Sequence, residues 1–147
     1  MKKAIIAAIA ALVCVSAAAQ LNVRKTRSAT ETIATLRTGT VRLCARDSII
    51  FFSLPSTNQF DDPALFYLGE GAASAIDTLD DLVGLLADGD VGSSVDVEQP
   101  RGVVTIRVDK QIGVRVLFFT FPGQAGLVST SKGELGKMKA ALVKWRK

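Results

Sequence analysis

Histidine is absent from the 147 residues of this chain, and cysteine, tyrosine and tryptophan are scarce. Without an imidazole, the chain has no serine or cysteine triad of the usual kind, no HExxH zinc site and no histidine-based switch near neutral pH. Four prolines, 12 glycines and two cysteines exclude the collagen-like and disulfide-rich classes. The 48% hydrophobic and 22% charged residues indicate a folded domain.

A long uncharged run occupies residues 4–19, directly after Lys2 and Lys3. It ends in three alanines before Gln20, which supply the small residues that a signal peptidase requires. We therefore predict a cleaved signal peptide over residues 1–19 and a protein that is exported to the periplasm or secreted. A membrane-spanning helix is the weaker interpretation, because it needs about 20 apolar residues and this run is shorter, rich in alanine and ends in small residues. No later segment is long enough to span a membrane.

Cys14 offers an alternative to cleavage before Gln20, because a lipid on this cysteine would anchor the exported protein to a membrane. Val13 stands at the preceding position, where lipoprotein processing requires a small residue, so we favour the soluble form. Loss of Cys14 with the leader would leave Cys44 without an intramolecular disulfide partner. Two of the 18 basic residues lie in the leader, so the mature chain is only weakly basic.

The segment 20–147 has the pattern of a single domain. Residues 20–29 are polar and predict a mobile arm, which an edge strand follows. Apolar and polar residues alternate over 41–46, whereas residues 49–54 are apolar at all but one position, so a half-covered strand precedes a central strand. Further strands are predicted at 64–68, 95–98, 103–109 and 112–121, and the last two form the clearest hairpin.

Two segments carry apolar residues at helical spacing. The first is Gly71–Asp88, and the second is 131–146, where Ser131 and Glu134 have the spacing of a capping box. The apolar stripe of the second helix is Leu135, Met138, Leu142 and Trp145, which we expect to pack in the core rather than on a membrane. The sequence thus predicts an α+β fold, with a mostly antiparallel sheet of about five to six strands and both helices packed on one face.

Two helices cover one face of such a sheet, yet the strands at 49–54 and 112–121 are apolar on both faces. Each of these strands contains two adjacent phenylalanines, which point to opposite faces: Phe51-Phe52 in the first and Phe118-Phe119 in the second. We therefore expect an uncovered sheet face that binds a second copy of the chain or another envelope protein. The candidate binding residues are Arg42, Arg46, Arg107, Arg115, Leu117 and Phe119.

The four arginines would form an anion-binding face if their strands are neighbours. Like charges that lie opposite one another on a sheet are destabilising unless an opposite charge neutralises them. Either a ligand or the acidic first helix, with Asp77, Asp80 and Asp81, would do so, and we favour the helix because it requires no partner. Residues 61–98 hold ten acidic residues and no basic one, so we expect this block to neutralise the basic flanks across the fold.

Cys44 has the greatest intrinsic reactivity in the predicted domain. Strand alternation places it on the same face as Arg42 and Arg46, whose charges would favour a thiolate. A lone cysteine in a strand is more often a small buried hydrophobe. We therefore expect a protein that is not an enzyme and has no cofactor, and we keep a catalytic or redox thiol at Cys44 as the alternative.

Adjacent carboxylates provide a second enzymatic alternative, in which Asp61 and Asp62 act as general acid and base. Three other acidic residues lie near glycines, in an arrangement that is weakly suggestive of calcium: Asp88, Asp90 and Asp96. Their spacing fails the EF-hand pattern at its diagnostic positions, so we predict no metal.

A last candidate is a small-anion site in residues 69–73, from Gly69 to Ala73, just before the first predicted helix. Ser74 stands where the GxGxxG fingerprint requires its third glycine, so the signal is weak. No nucleic-acid partner is expected, because aromatic and basic residues are not interleaved in the strands. The preferred interpretation is an exported, non-enzymatic binding or structural domain of the envelope.

Overall fold

The computed structural model describes residues 29–145. The predicted leader, Cys14, most of the predicted arm and the last residue of the second predicted helix lie outside the described residues. Within 29–145, eight strands and two longer helices alternate in the order four strands, helix, four strands, helix. This order repeats, although no repeat is visible in the sequence.

The first half is an antiparallel meander in which each strand pairs with the next. A 3-10 turn, Arg37–Gly39, joins the first two strands, and the two residues Asp47 and Ser48 join the next two. The helix α1 follows the fourth strand without a linker, and its bounds, Gly71–Asp88, confirm the prediction. The strands are β1 (Glu31–Leu36), β2 (Val41–Arg46), β3 (Ile49–Leu54) and β4 (Ala64–Glu70).

The second half repeats the meander and ends in helix α2, Lys132–Trp145. The pairing of the predicted hairpin is confirmed, but its turn lies at Ile112 and Gly113, which have φ angles of 49° and 79°, rather than at residues 110–111 as the predicted strand bounds imply. Two successive positive φ angles are typical of the tight turns whose twist matches that of the flanking strands. The strands are β5 (Ser94–Gln99), β6 (Gly102–Gln111), β7 (Val114–Thr120) and β8 (Val128–Ser131).

The α+β class, the antiparallel pairing and the two helices agree with the sequence prediction, but the number of sheets does not. The chain forms two four-stranded sheets rather than one sheet of five to six strands. Strand β8 was not predicted because it has only four residues, directly after a segment rich in turn-forming residues. Local patterning also does not specify which strands pair across α1, so it could not divide the strands between two sheets.

One hydrophobic cluster takes residues from both sheets and both helices. The sheets meet at Phe119 of β7, whose ring lies 5.9 Å from that of Phe52 and 5.3 Å from that of Phe66, with an edge-to-face geometry in both pairs. The helices contact each other and the inner faces of the sheets, where Leu79, Leu135, Met138 and Leu142 are fully buried. Each sheet therefore keeps an outer face that the helices do not cover.

Arg37 joins the two halves at the surface. Its Nε and Nη2 atoms lie 2.5 and 2.7 Å from the two carboxylate oxygens of Glu134, and Nη2 also donates to the carbonyl oxygen of Ser129 at 2.7 Å. Such a two-pronged contact fixes orientation better than a single charge pair does. It holds the β1–β2 turn against the start of α2.

Glu134 also completes the predicted capping box. It accepts a hydrogen bond from Ser131 N at 3.1 Å, while its own N donates to Ser131 Oγ at 3.4 Å. Burial is the largest influence and by itself would raise the pKa of Glu134, but hydrogen bonds from Arg37, Ser131 and Thr130 and the Arg37 charge lower it below the usual 4.5. The ionised form therefore stabilises the fold above pH 4.5, and this contribution is lost as the pH falls through the lowered pKa.

Two glycines make a sharp test of packing between the halves. A Cβ on Gly126 would lie 1.9 Å from Ser56 Oγ and 2.6 Å from Asn58 N, whereas a Cβ on Gly136 of α2 meets nothing within 4 Å. We expect Gly126→Ala to lower the free energy of unfolding by about 1–3 kcal/mol through overpacking. Gly136→Ala should raise it by about 0.5–1 kcal/mol through helix propensity. Denaturant unfolding measures both, and equal effects of the two substitutions would contradict the close approach of the loops.

Candidate functional site

The outer face of the first sheet carries alternate residues of β2, β3 and β4. Cys44 pairs with Phe51, and Phe51 pairs with Tyr67, so these three residues form a row across the sheet. The rings of Phe51 and Tyr67 are 5.8 Å apart and tilted by 46°. Although they lie outside the main hydrophobic cluster, Cys44 and Phe51 are only 6% and 8% exposed. The outer face therefore has an apolar floor.

This floor belongs to a depression of about 390 Å³, which we call the arginine groove. A volume of this size falls in the range of small-molecule sites. Three cationic side chains line it, together with the apolar row and several neighbours. The lining comprises Thr30, Arg42, Cys44, Arg46, Asp47, Ile49, Phe51, Ser53, Leu65, Tyr67 and Arg101.

Arg42 and Arg46 flank Cys44 on the same strand face. Four residues of an extended strand span about 13 Å, so the two side chains leave β2 on either side of the floor. Arg42 Nε donates to the carbonyl oxygen of Gly39 at 3.2 Å, and Arg46 donates to Thr30 Oγ1 at 3.0 and 2.8 Å. These neutral acceptors orient the guanidinium groups and leave their charges unneutralised.

Arg101 enters the groove from the turn between β5 and β6. Gln99, two residues before Arg101, positions this turn against β4. Its side-chain oxygen accepts a hydrogen bond from Tyr67 N at 2.8 Å, and its side-chain nitrogen donates one to Tyr67 O at 3.3 Å. The amide thus pairs with the backbone of β4 as a neighbouring strand would. Sequence analysis did not identify Arg101, because Pro100-Arg101-Gly102 carries only the signal of a turn.

Residues 29–145 contain three ion pairs, and none of them involves a groove arginine. The expectation that the acidic side of α1 answers the strand arginines is wrong, because Asp80 of α1 pairs instead with Lys139 of α2 at 2.6 Å. Two unit charges about 13 Å apart in water repel by only about 0.3 kcal/mol, so the fold tolerates this cluster without a ligand. The groove therefore presents net positive charge, which Asp47 at its edge offsets only in part.

Arg107 and Arg115 would share a face with Arg42 and Arg46 only if their strands were neighbours, but these strands belong to different sheets. Arg107 stands on the outer face of the second sheet, 2.9 Å from Asp109 and with its guanidinium carbon 5.7 Å from the centre of the Phe118 ring. Arg115 donates to the carbonyl oxygens of Ala87 and Gly89, where α1 ends. A cation at a helix C-terminus complements the helix dipole, so Arg115 has a structural partner.

Leu117 and Phe119, the two apolar residues of the predicted binding set, lie in the core with exposures of 0% and 2%. The opposite face of β7 carries Val116 and Phe118, which are 7% and 8% exposed. Every position from 116 to 119 is apolar, so the sequence could not show which set faces inward.

The carboxylate of Asp61 is hydrogen-bonded to its own loop and to a neighbouring one, and it does not pair with Asp62 as an acid and base pair would. It accepts hydrogen bonds from Gly126 N at 2.9 Å, Ser56 Oγ at 2.8 Å and Asn58 Nδ2 at 3.1 Å. The bond from Gly126 contributes most, followed by that from Ser56, and together they lower the pKa of Asp61 from its usual 3.8. A carboxyl group with a lowered pKa is a poor general acid at neutral pH. Asp62 is exposed, and its carbonyl oxygen accepts from Gln124 Nε2.

The weak calcium candidates do not form a cluster. Asp96 accepts a hydrogen bond from Thr105 on the neighbouring strand, while Asp88 ends α1 and Asp90 lies in the following turn. In the described part of the chain, no group of three His, Cys, Asp or Glu side chains is arranged to hold a metal ion.

At the predicted anion site, residues 69–73, one of the backbone donors is already engaged within the fold. Gly71 N, at the start of α1, already donates to Ser48 O at 2.7 Å, and the exposed Glu70 precedes it. A Cβ on Gly69 would lie 2.3 Å from Ser74 Oγ, and Gly69 also has a φ of 136°. The two glycines therefore serve the tight passage from β4 into α1.

A second depression, of about 350 Å³, adjoins the groove and shares Leu65 and Arg101 with it. It lies where the β3–β4 loop, the β5–β6 turn and the β7–β8 loop meet, and the exposed Phe60 stands at its edge. Its walls include the loop segments that Asp61 holds together. Leu65 and Arg101 thus contribute to both depressions.

Comparisons of this chain with protein-family models, with curated proteins and with solved structures gave no significant match. Between residues 29 and 145, neither helix has the combination of length and hydropathy needed to cross a membrane. Inference about function therefore depends on the groove itself.

Asp61→Asn tests whether this carboxylate has a structural role. We expect the variant to melt several degrees below the wild type at pH 7, because the charged acceptor of three hydrogen bonds is lost. Since folding lowers the pKa of Asp61, the stabilisation is complete above pH 3.8 and declines as the pH falls through the lower folded value. Melting temperatures measured from pH 7 down to about pH 2 should therefore converge.

Asp62→Asn is the matched control for this measurement, because its carboxylate is exposed and makes no hydrogen bond in the described chain. It should leave the melting temperature unchanged. A gap for Asp61→Asn that is constant with pH, or an equal effect of Asp62→Asn, would contradict the structural role of Asp61.

Proposed function

We propose that this protein is an exported, non-enzymatic binding domain whose binding surface is the outer face of the first sheet. The observation that carries the proposal is the arginine groove, where three unneutralised guanidinium groups surround a floor of Cys44, Phe51 and Tyr67. Export is part of the proposal, and it is supported by Lys2 and Lys3 before the uncharged run 4–19.

Several features support binding over a purely structural role for this face. The inner face of the sheet already contributes to the core, so the apolar row outside it is not required to join the two halves. Arginine combines a fixed set of donors with a flat apolar surface, which makes it frequent at binding sites. The groove thus combines charge, shape and an apolar floor in one place.

The enzymatic alternative has less support. Cys44 packs beside Phe51 with only 6% exposure, as a small apolar residue of a sheet does. No histidine exists in the sequence to act as its base, and Asp61 is engaged by three donors. We therefore assign Cys44 to the floor of the binding surface.

Site-specific photocrosslinking in the producing cell tests the proposal. Ser53 lines the groove and is half-buried, so a benzoylphenylalanine in its place would meet whatever occupies the surface. We expect ultraviolet light to give a defined adduct at this position. The mass of the adduct distinguishes a small molecule, a second copy of the chain and another envelope protein.

Lys110 provides the matched control position, because it is exposed on β6 and does not line the groove. The same photoreactive residue there should give no defined adduct. A lack of adduct at position 53, or the same adducts at both positions, would overturn the proposal that the outer face of the first sheet is the binding surface.

A further inference from the structure

We propose that the arginine groove binds a small organic anion, in which a flat apolar ring system carries a carboxylate or a phosphate. This inference rests on the proposed binding function and names the class of ligand. Such a ligand would contact both the concave apolar floor of the groove and its unneutralised arginines.

The floor selects for a flat apolar body. Phe51 and Tyr67 present tilted rings 5.8 Å apart, and Cys44 continues the row on β2. Aromatic rings pack favourably on such surfaces in offset or edge-to-face arrangements. With a volume of about 390 Å³, the groove suits a molecule of one or two rings rather than a folded domain.

The arginines select for an acidic group. Arg42 and Arg46 leave the strand on opposite sides of the floor, and Arg101 approaches from the β5–β6 turn. A ring that lies on the floor therefore has a guanidinium within reach on several sides. Carboxylates and phosphates match the planar donor set of arginine with two parallel hydrogen bonds.

Two macromolecular occupants fit the groove less well: the segment 20–28 of the same chain and the second sheet of another copy. The segment 20–28 that precedes the described chain contains Arg24, Lys25 and Arg27 and no acidic residue, so its charge matches that of the groove. Of the acidic residues on the outer face of the second sheet, Asp96 bonds to Thr105 and Asp109 pairs with Arg107, which leaves the exposed Glu98 alone to face three arginines. A small organic anion has no such competing partners.

Calorimetric titration of the natural protein with four probes tests the ligand class. We expect 2-naphthoate or 2-naphthyl phosphate to bind with a submillimolar Kd, and the tighter of the two identifies the acidic group. The neutral analogue 2-naphthalenemethanol and inorganic phosphate, which lacks the ring, should each bind at least about tenfold more weakly. Failure of both naphthyl anions to bind would overturn the inference, and so would binding of inorganic phosphate as tight as theirs.

Variants then locate the site. Arg42→Gln combined with Arg46→Gln should weaken binding of the naphthyl anion at least about tenfold, and Arg101→Gln should weaken it to a smaller extent. Lys110→Gln combined with Lys132→Gln removes the same charge from exposed positions outside the groove and should leave the Kd unchanged. If both double variants lost the same affinity, net charge alone would account for the weaker binding, and the assignment of the site to the groove would be contradicted.

These outcomes separate the inference from the proposed function. If a photoreactive residue at position 53 captures a second protein while neither naphthyl anion binds, the outer face is a binding surface and the proposed ligand class is wrong. If neither measurement detects an occupant, both proposals fail.

Discussion

The contact of Phe119 with Phe52 and Phe66 is the interaction on which the arrangement of this protein depends. Each half of the chain is a four-stranded meander followed by a helix, and each sheet has an apolar inner face that must be buried. The edge-to-face aromatic contacts join these inner faces, with both helices, into one cluster. Because the inner faces are used in this way, the outer face of the first sheet lies outside the main cluster, and so does the apolar row that forms the groove floor.

The arginines of the described chain divide into two groups with different roles. Arg37 and Arg115 each reach across the fold to a specific acceptor, at Glu134 and at the end of α1, and so stabilise the packing of its elements. Arg107 has Asp109 and the ring of Phe118 as partners. The remaining three, Arg42, Arg46 and Arg101, have no carboxylate partner in residues 29–145 and converge on one depression. Their exposure and their lack of a carboxylate partner distinguish them as candidates for binding.

Local patterns in the sequence predicted what depends on neighbouring residues. Helical periodicity located α1, strand alternation placed Cys44 between Arg42 and Arg46, and the pairing of β6 with β7 followed from two adjacent apolar segments. Patterns could not predict what depends on distant pairing. The division into two sheets, the position of Arg115 at the end of α1 and the entry of Arg101 into the groove all require contacts between segments far apart in the chain. The sequence also could not predict that Leu117 and Phe119 face the core, because both faces of β7 are apolar.

Hydrogen exchange of the arginine Nε–H groups, followed by NMR, tests most directly whether the groove arginines are open to an external partner. Nε of Arg37 is held by the Glu134 carboxylate and Nε of Arg115 is buried, whereas Arg42, Arg46 and Arg101 are exposed, and Nε of Arg42 and of Arg46 donates only to a neutral oxygen. We predict that the Nε–H groups of the three groove arginines exchange at least about tenfold faster than those of Arg37 and Arg115. Equal protection of all five would show that the fold holds the groove arginines as firmly as it holds Arg37 and Arg115, and it would contradict an open binding surface on the first sheet.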